Sequence, residues 1–325
     1  MKLNRRHFLN TAGILGAAPL AGGSAPIALQ AAETNAKRRT KLAVATYSYW
    51  HFRTDKVPIE TVIDKAAALG VEGIDVLHRQ MEIGEHDPIT AEHRSYCRNL
   101  KRRAFSNGMS IVCLSTHQNF LSPDAAKRDL AIEHTKKCLE IASEMGAGCM
   151  RINAGSWGTI PDFDELMKAR GVEPILPGHT EDEGFNWCID GIEKCLSKAE
   201  ECGVVLALEN HWGLSRTPEG QLRILNAIKS PWLGALMDTG NFLENPYDKL
   251  KQIAPRAVYV QAKTYYGGGE WYTLDLDYPR IAGILAAAGY TGWVGLEMEG
   301  KEDPETAVKK SVELLRSAFD RPEKA

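Results

Sequence analysis

The sequence predicts an α/β protein, a (β/α)8 barrel, on three observations. Eight apolar runs of strand length recur along the chain, at 42–49, 72–77, 110–115, 148–153, 204–209, 234–238, 257–262 and 293–298. Stretches of helical period separate them, and such alternation is the pattern of a parallel sheet closed on itself. The last four runs each end in a residue able to hold a hard metal ion: Glu209, Asp238, Gln261 and Glu297. Parallel strands of a barrel present their C-terminal ends to one mouth, so residues remote in sequence would meet there.

The fold is expected to begin at Lys41, after a polar linker over residues 33–40. The first run passes into Thr46-Tyr47-Ser48-Tyr49-Trp50 with no glycine-rich loop, which makes a doubly wound dinucleotide-binding sheet the weaker alternative. Tyr47, Tyr49 and Trp50 divide between barrel core and an apolar platform at the mouth. Ile59 to Leu69 has helical period and closes on Gly70, just before the second run, whose end carries His78. The third run leads into Ser115-Thr116-His117-Gln118. Helical Asp129 to Ala142 follows, and Met145-Gly146 marks the entry to the fourth run, Met150-Arg151-Ile152-Asn153. His117 and Arg151 therefore face the mouth as candidate substrate contacts. Cys202-Gly203 and Ala288-Gly289 mark the entries to the fifth and eighth runs, because glycine tolerates the left-handed turn that ends a helix. Two connections are long: 156–185, with Pro161, Pro174 and Pro177, and the segment Gly267 to Tyr272 after the seventh run. Both should emerge at the mouth and wall a pocket, with Trp271 against substrate.

The 325 residues are 44% hydrophobic and 25% charged, as in a globular protein with a sizeable core. The formal net charge of −3 becomes −6 without residues 1–31, which hold Lys2, Arg5 and Arg6 and no acids. Nothing here attracts a polyanion, so no nucleic-acid partner is expected. Cys188, Cys195 and Cys202 lie seven apart on one helical face. They are about 10 Å from one another at that spacing, beyond disulfide reach. Cys113, Cys149 and Cys138 read as small buried hydrophobes. Residues 1–32 hold Asn4-Arg5-Arg6-His7-Phe8-Leu9-Asn10 and then a weakly apolar Gly/Ala segment. This resembles a twin-arginine export signal, cleaved near Ala31 or Ala32, and implies a periplasmic or otherwise exported protein. Pro19 and Pro26 interrupt the segment before the ~20 apolar residues of a spanning helix, so no stable membrane span is expected after export.

Four motifs then carry a wider resemblance: Leu208-Glu209-Asn210-His211, Met237-Asp238-Thr239-Gly240-Asn241-Phe242, Gln261-Ala262-Lys263, and Gly289 to Glu297. Together they resemble the sugar phosphate isomerase/epimerase superfamily, the xylose-isomerase-like TIM barrels, over residues 41 to about 318. The resemblance implies one barrel domain over 41–325 and one divalent metal ion. It implies Glu, Asp, His and Glu as ligands at the ends of strands five to eight, hence Glu209, Asp238, Gln261 and Glu297. Gln261 stands where the family usually has His, and Asn241 where many epimerases have a substrate-binding His. The resulting all-oxygen set suits Mn²⁺ or Mg²⁺ over Zn²⁺. Glu209 and Glu297 become the acid–base pair about an enediolate; Glu299 rivals Glu297 on the same strand face. His211, Asn241 and Lys263 join His117, Arg151 and Trp271 as substrate contacts. The implied activity is isomerisation or epimerisation of a small sugar or keto-sugar, and an oligomer is allowed. The same enolate could expel a β leaving group, which would make the protein a 3-keto-glycoside lyase. A non-catalytic carbohydrate-binding barrel is the reading from another class. An abasic-site endonuclease shares the barrel but needs a histidine-rich trinuclear zinc site and a basic face, which this chain does not offer.

Overall fold

In the computed structural model, which describes residues 40–320, the eight apolar runs are eight parallel strands. They are β1 (Lys41–Ala45), β2 (Gly73–Leu77), β3 (Ser110–Ser115), β4 (Cys149–Ile152), β5 (Val205–Glu209), β6 (Leu233–Asp238), β7 (Ala257–Thr264) and β8 (Trp293–Met298). Each pairs with its neighbour in sequence order, and β8 returns to β1 to close the barrel. The expected signal, residues 1–32, and the linker up to Arg39 lie outside the described residues. Among the described residues no helix is long and apolar enough to cross a membrane.

The outer ring consists of α1 (Ile59–Ala68), α2 (Ala91–Ser106), α3 (Ala125–Met145), α4 (Phe163–Lys168), α5 (Glu181–Cys202), α6 (Pro218–Ala227), α7 (Pro246–Ile253), α8 (Tyr278–Ala287) and α9 (Pro304–Phe319). Their ends are specified locally. Asp124 caps α3 through the Ala126 N–H, and Thr180 and Glu183 form a reciprocal capping box at the start of α5, satisfying amides that have no partner within the helix. Gly146 and Gly203 end α3 and α5 in the left-handed region, at φ 77° and 66°, where a Cβ would be strained.

Period-two alternation along the strands builds the barrel interior in layers. The lowest layer is apolar: Ala43, Cys113, Cys149, Ala207, Leu236 and Tyr259 are all buried together. Two residues further along the same strands come Ala45, Ser115, Arg151, Glu209, Asp238 and Gln261. Gly295 completes that level in register with Gln261, and Glu297 lies above it in register with Lys263. The absence of a side chain at Gly295 is required, since a Cβ there would meet the Tyr259 hydroxyl at 2.1 Å. The mouth is thus polar because its strands change character once, at the same height.

Two expectations are corrected. The first strand ends at Ala45, and Thr46–Tyr49 forms a short 3-10 turn. The Thr46 hydroxyl accepts the Leu77 N–H at 3.0 Å, and Ser48 accepts from Met298 N at 3.0 Å. Side chains replace the ladder there, so the backbone leaves the sheet. The connection expected at 156–185 is not all loop: it contains α4, and α5 starts at Glu181. All seven cysteines are free thiols, as the helical spacing of Cys188, Cys195 and Cys202 requires for those three. Cys113 and Cys149 face each other across β3 and β4 with sulfurs 3.4 Å apart.

Candidate active site

The ends of β4 to β8 bring Arg151, Glu209, Asp238, Lys263 and Glu297 into one buried cluster, each no more than 5% exposed. Glu209 accepts a hydrogen bond from Asn153 at 2.8 Å on one oxygen and from Asn241 at 3.1 Å on the other. The Arg151 guanidinium lies between the glutamates, with Nε 3.6 Å from Glu209 and Nη1 3.8 Å from Glu297. Lys263 reaches four partners through Nζ: Glu299 at 2.8 Å, Asn241 at 3.0 Å, and Asp238 and Glu297 at 3.5 Å each. One Asp238 oxygen accepts the Gly240 N–H at 2.7 Å. Its other oxygen has no hydrogen-bond partner.

Charge sets these groups apart. Burial alone would raise the Glu209 carboxyl, but Arg151, His211, Lys263 and Asn153 together hold it below the usual range. Burial pushes Glu297 up to about 7, with Glu299 and Glu209 adding to the rise against Lys263 and Arg151. Asp238 is driven well above the usual carboxylate range by burial and by Glu209, Glu297 and Glu299, against Lys263. Burial also opposes the charge on Lys263, yet the surrounding Asp238 and Glu299 outweigh it and keep the ammonium. Four carboxylates thus share two fixed cations, and the excess negative charge expresses itself as reluctance of Glu297 and Asp238 to ionise.

Gln261 sits below this cluster. Its Nε2 donates to Asp75 at 2.9 Å and to Ser115 at 3.2 Å, while its Oε1 is buried with no partner. A hard divalent ion fits the donor set: excess carboxylate charge, plus two buried oxygens that make no hydrogen bond, Gln261 Oε1 and Asp238 Oδ2, the latter facing only the Lys263 ammonium at 3.5 Å. Asp75 is completely buried, raised by burial against its bonds from Ser115 and Gln261 and the charge of Arg151.

Of the remaining expected contacts, Asn241 bridges Glu209 and Lys263, as given above. His117 accepts a hydrogen bond from Arg151 at 3.1 Å; arginine can only donate, so this imidazole is neutral. Burial lowers His211 to about 4, with Arg151 and Lys263 assisting against Glu209. Trp271 is not drawn into the cluster. It is 43% exposed, packs edge-on against Phe163, and donates to Asp164 at 2.6 Å. It joins the two long connections to each other. Trp212, Tyr272 and Tyr265 wall the mouth instead: Tyr272 lies 6.2 Å from the Trp212 ring and 5.8 Å from Tyr265. The Tyr265 hydroxyl crowds Gly240 so closely that a Cβ there would come within 2.3 Å. Sequence reasoning missed Asp75, Asn153, Trp212 and Tyr265. The signal for the first two was a polar residue at an inward position of an otherwise apolar run.

No curated protein matches the chain. Solved structures do. D-psicose 3-epimerase with D-tagatose from Clostridium cellulolyticum H10 superposes with a TM-score of 0.65 at 15% identity, covering 86% of this chain and 99% of that one. Apo 3-keto-D-glucoside 4-epimerase from E. coli gives 0.65 at 16% identity, over 86% and 100%. IOLI protein with a bound zinc atom gives 0.62 at 14% identity, over 86% and 96%. At such identities these likenesses concern the fold. The family model described as xylose isomerase-like TIM barrel matches residues 63–318, most of the chain. With the closed barrel of eight parallel strands, that match establishes that the chain belongs to the xylose isomerase-like TIM barrel family.

Proposed function

We propose that the protein isomerises or epimerises a sugar or keto-sugar, moving a proton at the carbon next to a carbonyl between Glu209 and Glu297. The carrying observation is that these two buried glutamates both lie within 4 Å of one guanidinium, that of Arg151, while their surroundings differ. Glu209 is held ionised and suits the base; Glu297 is held near neutrality and suits the acid. Environments that push two carboxylates apart in this way are the usual basis for dividing acid and base roles. Lys263 and Arg151 carry the positive charge that an oxyanion developing on the substrate would meet. Asn241 holds Glu209 and Lys263 in place. Trp212, Tyr265 and Tyr272 offer flat apolar faces against which a sugar ring can rest.

A divalent ion would be held by Glu209, Asp238 and Glu297, with Gln261 contributing its amide oxygen. When bound it supplies a Lewis acid for the substrate carbonyl, Mn²⁺ or Mg²⁺ suiting the oxygen donors. The likeness in fold to epimerases of free ketoses and of a 3-keto-glucoside supports substrates of this class. The twin-arginine-like segment supports an exported enzyme, working on free sugars or glycosides rather than phosphates.

The test is incubation in D2O with Mn²⁺ or Mg²⁺ and a panel of ketoses, aldoses and 3-keto-glycosides, followed by NMR. Deuterium should enter at the carbon beside the carbonyl as the epimer forms. Release of the aglycone with the same exchange would make the protein a lyase. Conversion without exchange would overturn the proton-transfer mechanism.

A further inference from the structure

Outside the mouth, the turn after β2 and the face of α3 place three metal-binding side chains together. His134 and Cys138 lie one helical turn apart on α3, and His78 meets them from the 3-10 turn His78–Gln80. The Cys138 sulfur is 3.6 Å from His134 Nε2 and 3.8 Å from His78 Nδ1. One ligand atom from each residue can be chosen so that all lie within 4.8 Å of one another. A tetrahedral zinc ion with ordinary bond lengths holds sulfur and nitrogen about 3.6 Å apart, so both sulfur–nitrogen pairs stand near ligand spacing.

Their surroundings prepare them further. His134 Nδ1 lies 3.1 Å from the Glu85 carbonyl oxygen. A proton on Nδ1 donated there leaves the Nε2 lone pair free for a metal; the sulfur, 3.6 Å from Nε2 and 3.9 Å from Nδ1, lies over the ring, so ligation requires the imidazole to turn its edge toward it. Lys137 Nζ donates to the carbonyls of Gly84, Glu85 and Asp87, which ties that loop to α3 and fixes the acceptor. His78 is 1% exposed, and its Nε2 has no hydrogen-bond partner. Burial keeps both imidazoles neutral, the state a metal requires, lowering His78 to about 4. Access is open through His134, which lines a cavity of about 520 Å³ with Arg79, Glu85, His86 and His117.

We propose that His78, His134 and Cys138 form a second metal site, taking one Zn²⁺ ion per chain with water as fourth ligand. It is distinct from the carboxylate mouth and opposite to it in character. A thiolate and two imidazoles select zinc over Mg²⁺ and Mn²⁺, whereas the mouth favours the hard ions. Binding converts the Cys138 thiol to thiolate and releases one proton to solvent. The ion would pin the end of β2 to α3.

The purified full-length protein, stripped with chelator, is titrated with Co²⁺ in the presence of excess Mg²⁺. A thiolate-to-cobalt charge-transfer band in the near ultraviolet should saturate at one ion per chain. Cys138→Ser should abolish it. Asp238→Asn, which alters only the mouth, should leave it. His134→Gln, at a partly exposed position, should weaken Zn²⁺ binding by more than the ~10–100-fold that loss of an outer-shell partner costs. Zn²⁺ added to the cobalt-loaded protein should displace the cobalt and bleach the band, which tests wild type whatever the variants' folding. Absence of the band, a band that Zn²⁺ does not bleach, or a Zn²⁺ affinity unmoved by His134→Gln overturns the site.

Discussion

Glu209 and Glu297 have the same side chain, and their neighbours decide what each can do. Glu209 receives two amide N–H bonds and has the guanidinium at 3.6 Å; Glu297 has the guanidinium at 3.8 Å, Lys263 at 3.5 Å and the like charge of Glu299 beside it. Replacing either with Gln keeps the shape and removes the titrating group. Each variant should lose at least the ~10²-fold in turnover typical of an acid–base residue, measured on protein whose fold is verified by circular dichroism. Near-normal turnover in either would cancel its role. A second prediction concerns His51, which is buried at 9% exposure with Nε2 2.5 Å from the Met298 carbonyl. Burial lowers its pKa, so the fold holds it neutral while the unfolded chain takes up a proton below about 6.5. Below that pH the unfolded state binds more protons, and stability falls as pH falls. His51→Asn removes this contribution. It also keeps the left-handed backbone, φ 54°, that asparagine tolerates. Melting curves between neutral and acid pH should show a shallower loss for the variant; equal slopes would mean His51 is not proton-linked.

At the scale of elements, β7 and β8 meet where Tyr259 occupies the room left by Gly295. Gly295→Ala overpacks the barrel interior just below the mouth and should cost about 1–3 kcal/mol, read by denaturant unfolding. An unchanged midpoint would show that Tyr259 yields freely. Elements were also what the sequence displayed most clearly. Apolar runs with helical period between them placed every strand, because a strand buried on both faces is apolar throughout. The end of β1 was illegible, since Thr46 and Ser48 have ordinary strand character and only their bonds to Leu77 and Met298 reveal the turn. In the site, strand-end positions pointed to Arg151, Glu209, Asp238 and Glu297 and the motif resemblance to Lys263, while Asp75 stayed hidden inside β2. The aromatic wall was half hidden: Trp271 marked the right loop, but the chain turns so that Tyr272 faces inward and Trp271 holds α4. The His78–His134–Cys138 group was beyond reach. The His134–Cys138 spacing is visible in the sequence, but the approach of His78 depends on how α3 packs beside β2.

For the whole molecule, the expected signal and the barrel make one joint prediction. Changing Arg5 and Arg6 to Lys should strand the protein in the cytoplasm, because a twin-arginine route reads that pair. Fractionation of cells expressing wild type and variant decides it, and equal export of the two would sink the idea. Arg151 and Lys263 bear on how the barrel folds. They stand inside the cluster as resident counter-ions, dividing the charge of Glu209, Asp238, Glu297 and Glu299 between them. Domains that lack such internal compensation become folded only on taking up their ion. Here the carboxylates already have partners, so the scaffold should assemble without an ion, and unfolding midpoints measured with and without chelator should agree closely.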